Sequence, residues 1–333
     1  MNKATIYDVA ALAKVSNATV SRALNEPDKV KSETREKVLK IAKELGYKAN
    51  AFARGLASSK STQVAVIVSD LARASVAEMV KGIAQVAESY GYTILLYPSD
   101  NEDKDTDNIT NLVALQVDGI LYLIDEINEH QYKVISDLKN KYRIPLVLVN
   151  TVCQQDNDLL SVAIDYKKAG YEATKALIQE GRKHIALLTT LKRYPVSELK
   201  EAGYKKALSE AGLTEEICYT SGNIDVNKKD LTDFVNTHEI DGAIGVRDSI
   251  AISCMNILID KGKKVPEDVS IFGFQNTRYT LLCRPNLSTI NVPIYEIGVR
   301  AMKVLTAEMQ GEEQEKKGQI LLEHSIIKRG TTK

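Results

Sequence analysis

The spacing of hydrophobic residues changes near residue 62, and this change divides the chain into two kinds of sequence. Before it, apolar side chains recur at intervals of three and four residues in short stretches, which is the spacing of amphipathic helices. Thr5, Ser16 and Ser32 stand where such helices begin, and Gly46 stands where the third one ends. The pattern predicts three short helices around a small core made of Ile6, Val9, Ala10, Ala13, Val20, Leu24, Val38, Ile41, Ala42 and Leu45.

From residue 62 onward, continuous apolar runs of strand length alternate with amphipathic helical stretches. Strands that are apolar along their whole length, separated by helices, predict parallel sheets covered on both faces. Two successive sets predict two similar lobes, an N-lobe at about 62–160 and 290–320 and a C-lobe at about 161–289 and 321–333. Because the chain returns to the N-lobe near residue 290, it is expected to cross between the lobes several times. Such crossovers form a hinge beside a cleft, where a ligand usually binds.

The segment 48–61 between these two parts is polar, rich in small residues, and contains the run ANAFARGLA. This run can be helical, but it has too few apolar contacts to be a stable helix by itself. We therefore expect a headpiece at 1–47, a connector at 48–61 and a core at 62–333. The expected fold class is a small all-α headpiece followed by an α/β core of two doubly wound parallel-sheet lobes.

The charge distribution separates the same parts. The whole chain has a formal net charge of +0, yet residues 1–60 carry twelve Lys and Arg against six Asp and Glu, and the remainder carries the matching acidic excess. A small, separable basic end is suited to contact with nucleic acid phosphates. The four Cys and four His have no spacing typical of a metal site, so no metal or other cofactor is expected. Because no signal peptide or membrane-spanning run is evident, a cytoplasmic location is expected.

The first part of the chain also carries a recognisable motif. The stretch TIYDVAALAKVSNATVSRALNEPDKVKSETREKVLKIAKELGYKANAFARGLA places a short turn, Lys14 to Ser16, between its first two helices, so that the second helix protrudes. Over residues 4–58 the sequence resembles the N-terminal headpiece of bacterial regulators of the LacI/GalR family. The resemblance implies sequence-specific binding to operator DNA, with the helix at Asn17–Asn25 reading bases in the major groove.

Specific contacts follow from this placement. If Val20 and Leu24 face the core, the side chains that face outward from the second helix are Asn17, Ala18, Thr19, Ser21 and Arg22. Arg22 can pair with a guanine and Asn17 with an adenine edge, although Arg22 can also be an ordinary solvated charge. The residues expected at the phosphates are Thr5, Tyr7 and Ser16.

The run ANAFARGLAS resembles the hinge helix of the same family. The resemblance implies that two hinge helices pair in the minor groove, so the protein is expected to be a homodimer. Asn50, Arg54 and Leu56 are the expected DNA contacts, with Leu56 as the wedge that kinks the duplex; the alternative is a plain linker leucine. The family often has Arg-Pro where this chain has Lys48-Ala49, which makes the entry to the hinge less rigid.

The core resembles the periplasmic-binding-protein-like sensor of the family. Residues expected around its cleft are Lys200, Arg247, Asp248, Gln275 and Arg278. Sugar-responsive relatives have an aromatic residue after the first strand, an Arg at the position of Lys200 and an Asp at that of Gln275. Since those features are missing here, a tightly bound monosaccharide is disfavoured, and a phosphosugar or nucleotide effector stays open. Each of these charges can also be a residue of the cleft rim.

Short segments, among them SVAIDY at 161–166, RPNLST at 284–289 and the ending RGTTK, resemble the subgroup that controls carbon catabolism in Gram-positive bacteria. In that subgroup the corepressor is the phosphocarrier protein HPr, phosphorylated on a serine and docked on the N-lobe. The residues at the matching positions are Tyr295, Glu296 and Lys303, and Arg300 on the same helix is expected to supply a compensating cation. Ala307, Ala84 and Ser325 depart from the subgroup pattern, so a regulator that answers to a different, small effector is the rival interpretation.

Two other classes of protein fit the sequence less well. An enzyme is disfavoured because the chain has no GxSxG nucleophile elbow, no phosphate-binding glycine loop and no Cys/His pair. A sugar-transport protein shares the expected core fold, but it needs a signal peptide and lacks a basic headpiece. The sequence therefore favours a transcription regulator, mainly a repressor.

Overall fold

In the computed structural model the chain forms two compact units: one contains the headpiece and consists of residues 1–62 with 115–118, and the other, the core, consists of residues 63–114 and 119–333. The structure describes residues 4–25, 27–47, 61–99, 102–124, 127, 129–151, 159–192, 194–222, 226–312 and 318–333. The predicted hinge residues Asn50, Arg54 and Leu56, together with Lys48-Ala49, lie outside the described residues.

The headpiece contains the three predicted helices, α1 (Ile6–Ala13), α2 (Asn17–Asn25) and α3 (Ser32–Glu44). Thr5 caps α1: its hydroxyl oxygen accepts a hydrogen bond from the Asp8 backbone nitrogen, and the Asp8 carboxylate accepts one from the Thr5 nitrogen at 2.8 Å. Gly46 has a φ of +62°, which lets the chain turn away after α3. The predicted small core is confirmed, and its buried members are Val9, Ala10, Ala13, Val20, Ala23, Val38 and Ala42.

The N-lobe is built on a six-stranded sheet whose strands are all parallel, in the order β11-β5-β4-β3-β1-β2. Its strands are β1 (Gln63–Val68), β2 (Thr93–Pro98), β3 (Gly119–Leu123), β4 (Leu146–Val149), β5 (Ser161–Ile164) and β11 (Gln319–Leu322). Strands β1, β3, β4 and β5 are almost entirely buried, whereas β2, at the edge, is half-exposed. This burial is expected for a parallel sheet covered by helices on both faces.

The C-lobe repeats the arrangement, with the strand order β12-β10-β9-β8-β6-β7. Its strands are β6 (Ile185–Thr190), β7 (Glu216–Thr220), β8 (Gly242–Gly245), β9 (Ser270–Phe274), β10 (Ser288–Asn291) and β12 (Ser325–Ile327). Only β12 is antiparallel to its neighbour in this sheet, pairing with β10. The two doubly wound lobes confirm the predicted fold class.

Helices connect the strands of each lobe. They are α4 (Ala74–Ser89), α5 (Glu102–Ala114), α6 (Glu129–Ser136), α7 (Tyr166–Gln179), α8 (Pro195–Ala211), α9 (Asn227–Thr237), α10 (Asp248–Asp260), α11 (Tyr279–Leu282) and α12 (Ile294–Gln310). The sequence pattern predicts a helix at Ile294–Gln310, and α12 has these bounds. The pattern also predicts a helix from Glu198 to Gly212, but α8 begins three residues earlier, because Pro195 occupies its first turn, where a proline ring is tolerated.

The predicted lobe boundaries need correction. Strand β5 (Ser161–Ile164) was expected in the C-lobe, but it pairs with β4 and β11 in the N-lobe sheet. Strand β10 continues to Asn291 in the C-lobe, past the predicted return at 290, and β11 stays in the N-lobe to Leu322. Strand β5 is as apolar as the strands of either sheet, and β10 is short and mostly polar, so neither sequence reveals which of two similar sheets the strand joins.

Elements that the sequence analysis missed include β7, α6, α9 and the short α11, and the reason is clear for β7 and α9. Strand β7 lies at the edge of its sheet and is only partly buried, so its sequence EICYT lacks a continuous apolar run. Helix α9 buries only Asn227, Leu231 and Phe234. Both signals are weak because an edge element needs fewer apolar residues than a central one.

Glycines fix how the crossover helices pack. A β-carbon on Gly82 of α4 would lie 2.3 Å from the Tyr295 carbonyl oxygen of α12, and one on Gly298 would lie 2.2 Å from the Met79 carbonyl oxygen. The C-lobe uses the same device, since a β-carbon on Gly203 of α8 would lie 2.1 Å from the Lys167 carbonyl oxygen of α7. In each lobe, therefore, the helix that follows a strand of the other lobe packs with its backbone in close contact with a neighbouring helix. This helix is α12 in the N-lobe and α7 in the C-lobe.

Candidate functional site

The turn before α2 has the geometry that makes the second helix protrude. Lys14 closes α1 in the left-handed region with a φ of +57°. The Ser16 hydroxyl oxygen then accepts a hydrogen bond from the Thr19 backbone nitrogen at 3.1 Å, which caps α2 as predicted. A tight turn and a capped start expose the first turn of α2 to solvent.

The orientation expected for α2 is observed. Val20 and Ala23 are buried in the headpiece core, and Leu24 packs partly against it. Asn17, Ala18 and Arg22 are exposed, whereas Thr19 and Ser21 are half-buried. Of the residues expected at phosphates, Thr5, Tyr7 and Ser16 are all exposed, and 69% of the Tyr7 surface is accessible. The headpiece thus offers one protruding helix with polar side chains at its amino end.

A cavity of about 470 Å³ lies between the two lobes of the core. Its walls are formed by residues that follow the carboxyl ends of β1, β6, β7, β8 and β9, where ligands bind in open α/β sheets. The charged and aromatic residues among them are Asp70, Arg73, Tyr194, Arg247, Asp248 and Tyr279. The structure therefore brings Arg247, Asp248 and Gln275 together, as expected from the sequence.

Four charged or aromatic residues of this cavity were missed by the sequence analysis: Asp70 and Tyr279, and also Arg73 and Tyr194. Arg73 precedes α4 on the N-lobe side, and the Arg247 guanidinium carbon lies 5.7 Å from the centre of the Tyr194 ring. The position of Arg73 and Tyr194 after the first strand of each lobe was a usable signal, because such loops meet at the same edge of each sheet.

Asp248 is buried in the cavity wall, with 1% of its surface accessible. One carboxylate oxygen accepts hydrogen bonds from the backbone nitrogen and the hydroxyl of Thr277, at 2.7 and 2.8 Å, and the other accepts one from the Thr289 hydroxyl at 2.7 Å. Burial raises the pKa of Asp248 to about 6, and these hydrogen bonds and the nearby Lys200 oppose that rise. Asp248 therefore anchors the loop after β9 to the start of α10.

The loop after β9 has an unusual backbone. Gln275 and Asn276 have φ angles of +101° and +53°, a region that costs free energy for residues other than glycine. The Asn276 side chain donates to the Asn291 side-chain oxygen at 2.9 Å, and the Arg329 guanidinium donates to the Asn276 side-chain oxygen at 2.8 Å. The strained loop is thus fixed from both β10 and the C-terminal segment.

Lys200, expected to face an effector in the cleft or to be a charge on its rim, lies deeper than either expectation places it. Only 5% of its surface is accessible, and its Nζ donates to the Val246 carbonyl oxygen at 2.9 Å. The same nitrogen lies 4.6 Å from the centre of the Phe274 ring and 5.0 Å from the centre of the Tyr166 ring. Lys200 is therefore an interior residue at the inner end of the cleft.

A second cavity, of about 420 Å³, lies beside the first. Arg278, Asn276 and Asn291 line it from the C-lobe side, and Glu78 and the first residues of α12 complete it. Arg278 is exposed, with its guanidinium carbon 5.7 Å from the centre of the Tyr279 ring. The five residues expected in one cleft are therefore distributed over an inner end, a central cavity and this neighbouring cavity.

The face of α12 expected to dock a protein partner is partly accessible. Glu296, Arg300 and Lys303 are exposed, and Ala307 is half-buried. The Tyr295 hydroxyl donates to the side-chain oxygen of Gln85 on α4.

Two further residues contribute to this neighbourhood. Lys81 of α4 was not expected there; its Nζ lies 5.6 Å from the centre of the Tyr295 ring and 3.1 Å from the Glu78 carboxylate. Ala84 is exposed on the same helix, and Ser325 accepts a hydrogen bond from Asn291. The surface around α12 therefore carries cations from two helices.

Comparisons with known proteins agree with this geometry. Residues 5–50 match the sequence family described as bacterial regulatory proteins, lacI family, and residues 159–332 match the periplasmic binding protein-like domain. The chain is 38% identical to catabolite control protein A of Priestia megaterium, and the match covers 99% of both chains. It is 37% identical to catabolite control protein A of Staphylococcus epidermidis, over 98% of this chain and 99% of the relative.

The chain belongs to the lacI family of bacterial regulatory proteins. Among solved structures, the lac repressor dimer bound to operator and an anti-inducer has a TM-score of 0.90 at 25% identity and covers 99% of both chains. The transcription regulator CcpA of Lactococcus lactis has a TM-score of 0.73 at 32% identity, over 81% of this chain and 99% of that one. This member of the lacI family is therefore a DNA-binding transcriptional regulator, and its relatives are regulators rather than enzymes.

Among the described residues, no cluster of His, Cys, Asp or Glu has the arrangement needed to hold a metal ion. Cys218 and Cys254 are buried, and burial raises the pKa of each thiol to about 12, so neither is poised as a nucleophile. No helix in the described part of the chain is both long and apolar enough to cross a membrane.

Proposed function

We propose that this protein binds a pseudo-palindromic operator as a homodimer, mainly as a repressor of carbon catabolite genes, and that serine-phosphorylated HPr docked on α12 raises its DNA affinity. The observation that carries the proposal is the pair Arg300 and Lys303, which lie three residues apart on the exposed face of α12. Within the part of the chain that the structure describes, neither side chain forms an ion pair. Two accessible cations on one helical face suit a phosphoserine dianion.

The position of α12 explains how docking can reach the rest of the core. Tyr295 and Glu296, in the first turn of the helix, line the 420 Å³ cavity, and Arg278 lines it from the C-lobe. A partner seated on the exposed face of α12 therefore lies next to the junction of the lobes. If the partner binds one relative arrangement of the lobes more tightly, it increases the population of that arrangement. The DNA affinity then rises if the same arrangement favours DNA binding.

The similarity to catabolite control protein A supports the same conclusion, because it extends over nearly the whole chain. The departures at Ala307, Ala84 and Ser325 reduce the number of partner contacts. Loss of one of two cations costs about 1–3 kcal/mol, which is a ten- to hundredfold weakening. Arg300 supplies a neighbouring cation, so we expect docking to be weaker than in those relatives and still measurable.

The headpiece supports the DNA-binding part of the proposal. We expect Arg22 to contact a guanine, Asn17 an adenine edge and Thr19 a neighbouring base, because all three are at or near the exposed amino end of α2. Thr5, Tyr7 and Ser16 are proposed as phosphate contacts. Asn50, Arg54 and the wedge at Leu56 complete the proposed interface from the hinge.

The experiment that tests the docking surface compares matched variants of the full-length protein. Operator affinity is measured by fluorescence anisotropy with and without serine-phosphorylated HPr, for the wild type and Lys303→Ala. We expect phospho-HPr to tighten binding by the wild type, and the variant to lose this response while its affinity for bare operator stays unchanged. Lys229→Ala, at an exposed lysine of α9 in the C-lobe, is the control and should respond like the wild type.

A second candidate function is favoured by a specific observation, the presence of Arg73 and Arg247 in the 470 Å³ cavity. Two guanidinium groups from opposite lobes suit a small anionic effector such as a phosphosugar or nucleotide. Calorimetry with a hexose phosphate and a nucleoside monophosphate tests this alternative, with Arg247→Ala as the variant. A response of operator affinity to such a ligand, with none to phospho-HPr, would select the alternative.

A further inference from the structure

The inner end of the cleft contains a set of contacts that the proposed function does not use. Lys200 of α8 extends its ammonium group between the ring of Tyr166, at the start of α7, and the ring of Phe274, at the end of β9. Its Nζ donates to the Val246 carbonyl oxygen, at the end of β8. Two aromatic faces and one carbonyl oxygen form a typical receptor for an ammonium ion.

The Lys200 side chain occupies this receptor. The space left beside Lys200, Tyr166 and Val246 is about 20 Å³, enough for one water molecule, which needs about 10–15 Å³, and too small for a sugar. The adjacent cavity, in contrast, has about 470 Å³. The difference means that a ligand entering the cleft meets the Lys200 side chain before it reaches the inner end.

The polar groups around Lys200 are also satisfied within the chain. The Tyr166 hydroxyl donates to the Asn150 side-chain oxygen at 2.5 Å, and both carboxylate oxygens of Asp248 accept hydrogen bonds from threonines. A neutral sugar needs hydrogen-bonding groups that are open to it, because a buried hydroxyl without partners is costly. The inner end offers such a ligand no space, and these groups already have partners.

We propose that Lys200 is the specificity-determining residue of the cleft: the chain supplies its own ammonium group to an aromatic receptor, which closes the inner end to neutral ligands and confines any effector to the outer cavity. This proposal concerns the same cleft as the small-effector alternative, and it shares nothing else with it. The class of ligand that fits the receptor, once Lys200 is removed, is a primary alkylammonium ion.

The receptor also joins the two lobes. Asn150 follows β4 in the N-lobe, and Tyr166 reaches it from α7, while Val246 and Phe274 belong to the C-lobe. The ammonium group therefore holds Tyr166 against the C-lobe strands while the hydroxyl of the same residue holds the N-lobe. Loss of the cation should loosen this link as well as open a cavity.

The test uses chemical rescue of the full-length protein. Replacing Lys200 by alanine removes three methylene groups and the ammonium nitrogen, which together correspond to propylammonium. We expect Lys200→Ala to melt at a lower temperature than the wild type, and millimolar propylammonium chloride to raise its Tm by about 2 °C or more. The wild type should not respond, because the Lys200 side chain occupies its receptor.

Two controls separate charge from volume. Propanol has nearly the same size and no charge, so it should leave the Tm of Lys200→Ala almost unchanged. Lys200→Met keeps the volume filled and removes the cation, so it should be insensitive to propylammonium. Equal effects of propanol and propylammonium, or equal shifts in the wild type and Lys200→Ala, would overturn the proposal.

If Lys200→Ala is recovered only as aggregate, the same comparison is made on refolding yield in propylammonium and in propanol, and equal yields would also overturn it. If propylammonium fails to rescue Lys200→Ala, and hexose phosphate binds in a way that depends on Arg247, the proposed role of Lys200 is wrong and the effector alternative is supported. If the rescue succeeds and no effector binds, the role of Lys200 is supported and the effector alternative is wrong.

Discussion

The carboxylate of Asp248 accepts two hydrogen bonds from Thr277, from its backbone nitrogen at 2.7 Å and from its hydroxyl at 2.8 Å. This pair attaches the strained loop after β9 to the first turn of α10, and the loop carries Gln275 and Arg278 into the two cavities. Asp248 therefore acts on the cleft mainly by fixing other residues. Its buried position also makes a pH-dependent contribution to stability.

The first prediction concerns that pH dependence. The pKa of Asp248 in the folded protein, about 6, lies above its ordinary value of 3.8, so the folded state binds the proton more tightly than the unfolded state. The stabilisation that this proton gives is complete below pH 3.8 and is lost as the pH rises to about 6. We expect Asp248→Asn to remove this part of the profile, which amounts to about 2–3 kcal/mol.

The measurement is the free energy of unfolding of the wild type and Asp248→Asn at several pH values between about 4 and 7. The difference between the two proteins should change over this interval and level off above it. Asp260→Asn, at an exposed position of the same helix, is the control and should follow the wild type. Parallel profiles for the wild type and Asp248→Asn would contradict the prediction.

The second prediction concerns the packing of the docking helix. In Gly82→Ala the new methyl group would lie 2.3 Å from the Tyr295 carbonyl oxygen, which is backbone and cannot rotate away. Helices α4 and α12 must therefore separate, at a cost of about 1–3 kcal/mol in the free energy of unfolding. Urea denaturation measures this cost, and Ala84→Ser, at an exposed position of α4, should change it by less than about 0.5 kcal/mol.

Much of the fold followed from the sequence because the signals are local. Caps at Thr5 and Ser16 and the spacing of apolar residues place the headpiece helices, and α12 was predicted to its observed ends. The partition of strands between lobes did not follow, because β5 is as apolar as the strands of either sheet. Pairing between distant strands is fixed by the packing of the whole core, which one sequence does not encode locally.

The candidate site shows the same limit. Arg247 and Asp248 were expected at the cleft from the resemblance to the sensor core of the family, and both line the central cavity. The interior position of Lys200 depends on Tyr166 and Phe274, which come from other parts of the chain. A lysine on an amphipathic helix is usually solvated, so only the folded arrangement distinguishes this one.

The third prediction concerns base recognition by the headpiece. Arg22 is exposed on α2, and a bidentate contact with guanine is worth about 1–3 kcal/mol. We expect Arg22→Ala to lose this much affinity for the specific operator and much less for random DNA of the same length. Anisotropy titrations at one fixed salt concentration measure both, and equal losses on the two DNAs would identify Arg22 as a phosphate contact instead.

The fourth prediction concerns the hinge. If Leu56 is a minor-groove wedge, Leu56→Ala should bend the operator less than the wild type does, because no apolar side chain then separates the central base pairs. Energy transfer between dyes at the two ends of the operator measures the bend. An unchanged bend in the variant would show that Leu56 is an ordinary linker residue.

We propose above that a phosphorylated protein partner controls the DNA affinity of this regulator. This proposal is tested most directly by titrating the wild-type protein onto a genomic fragment selected for specific binding, alone, with HPr, and with serine-phosphorylated HPr. We expect only the phosphorylated form to tighten binding, by about tenfold or more, which corresponds to about 1.4 kcal/mol of coupling. Identical affinities in all three titrations would contradict it.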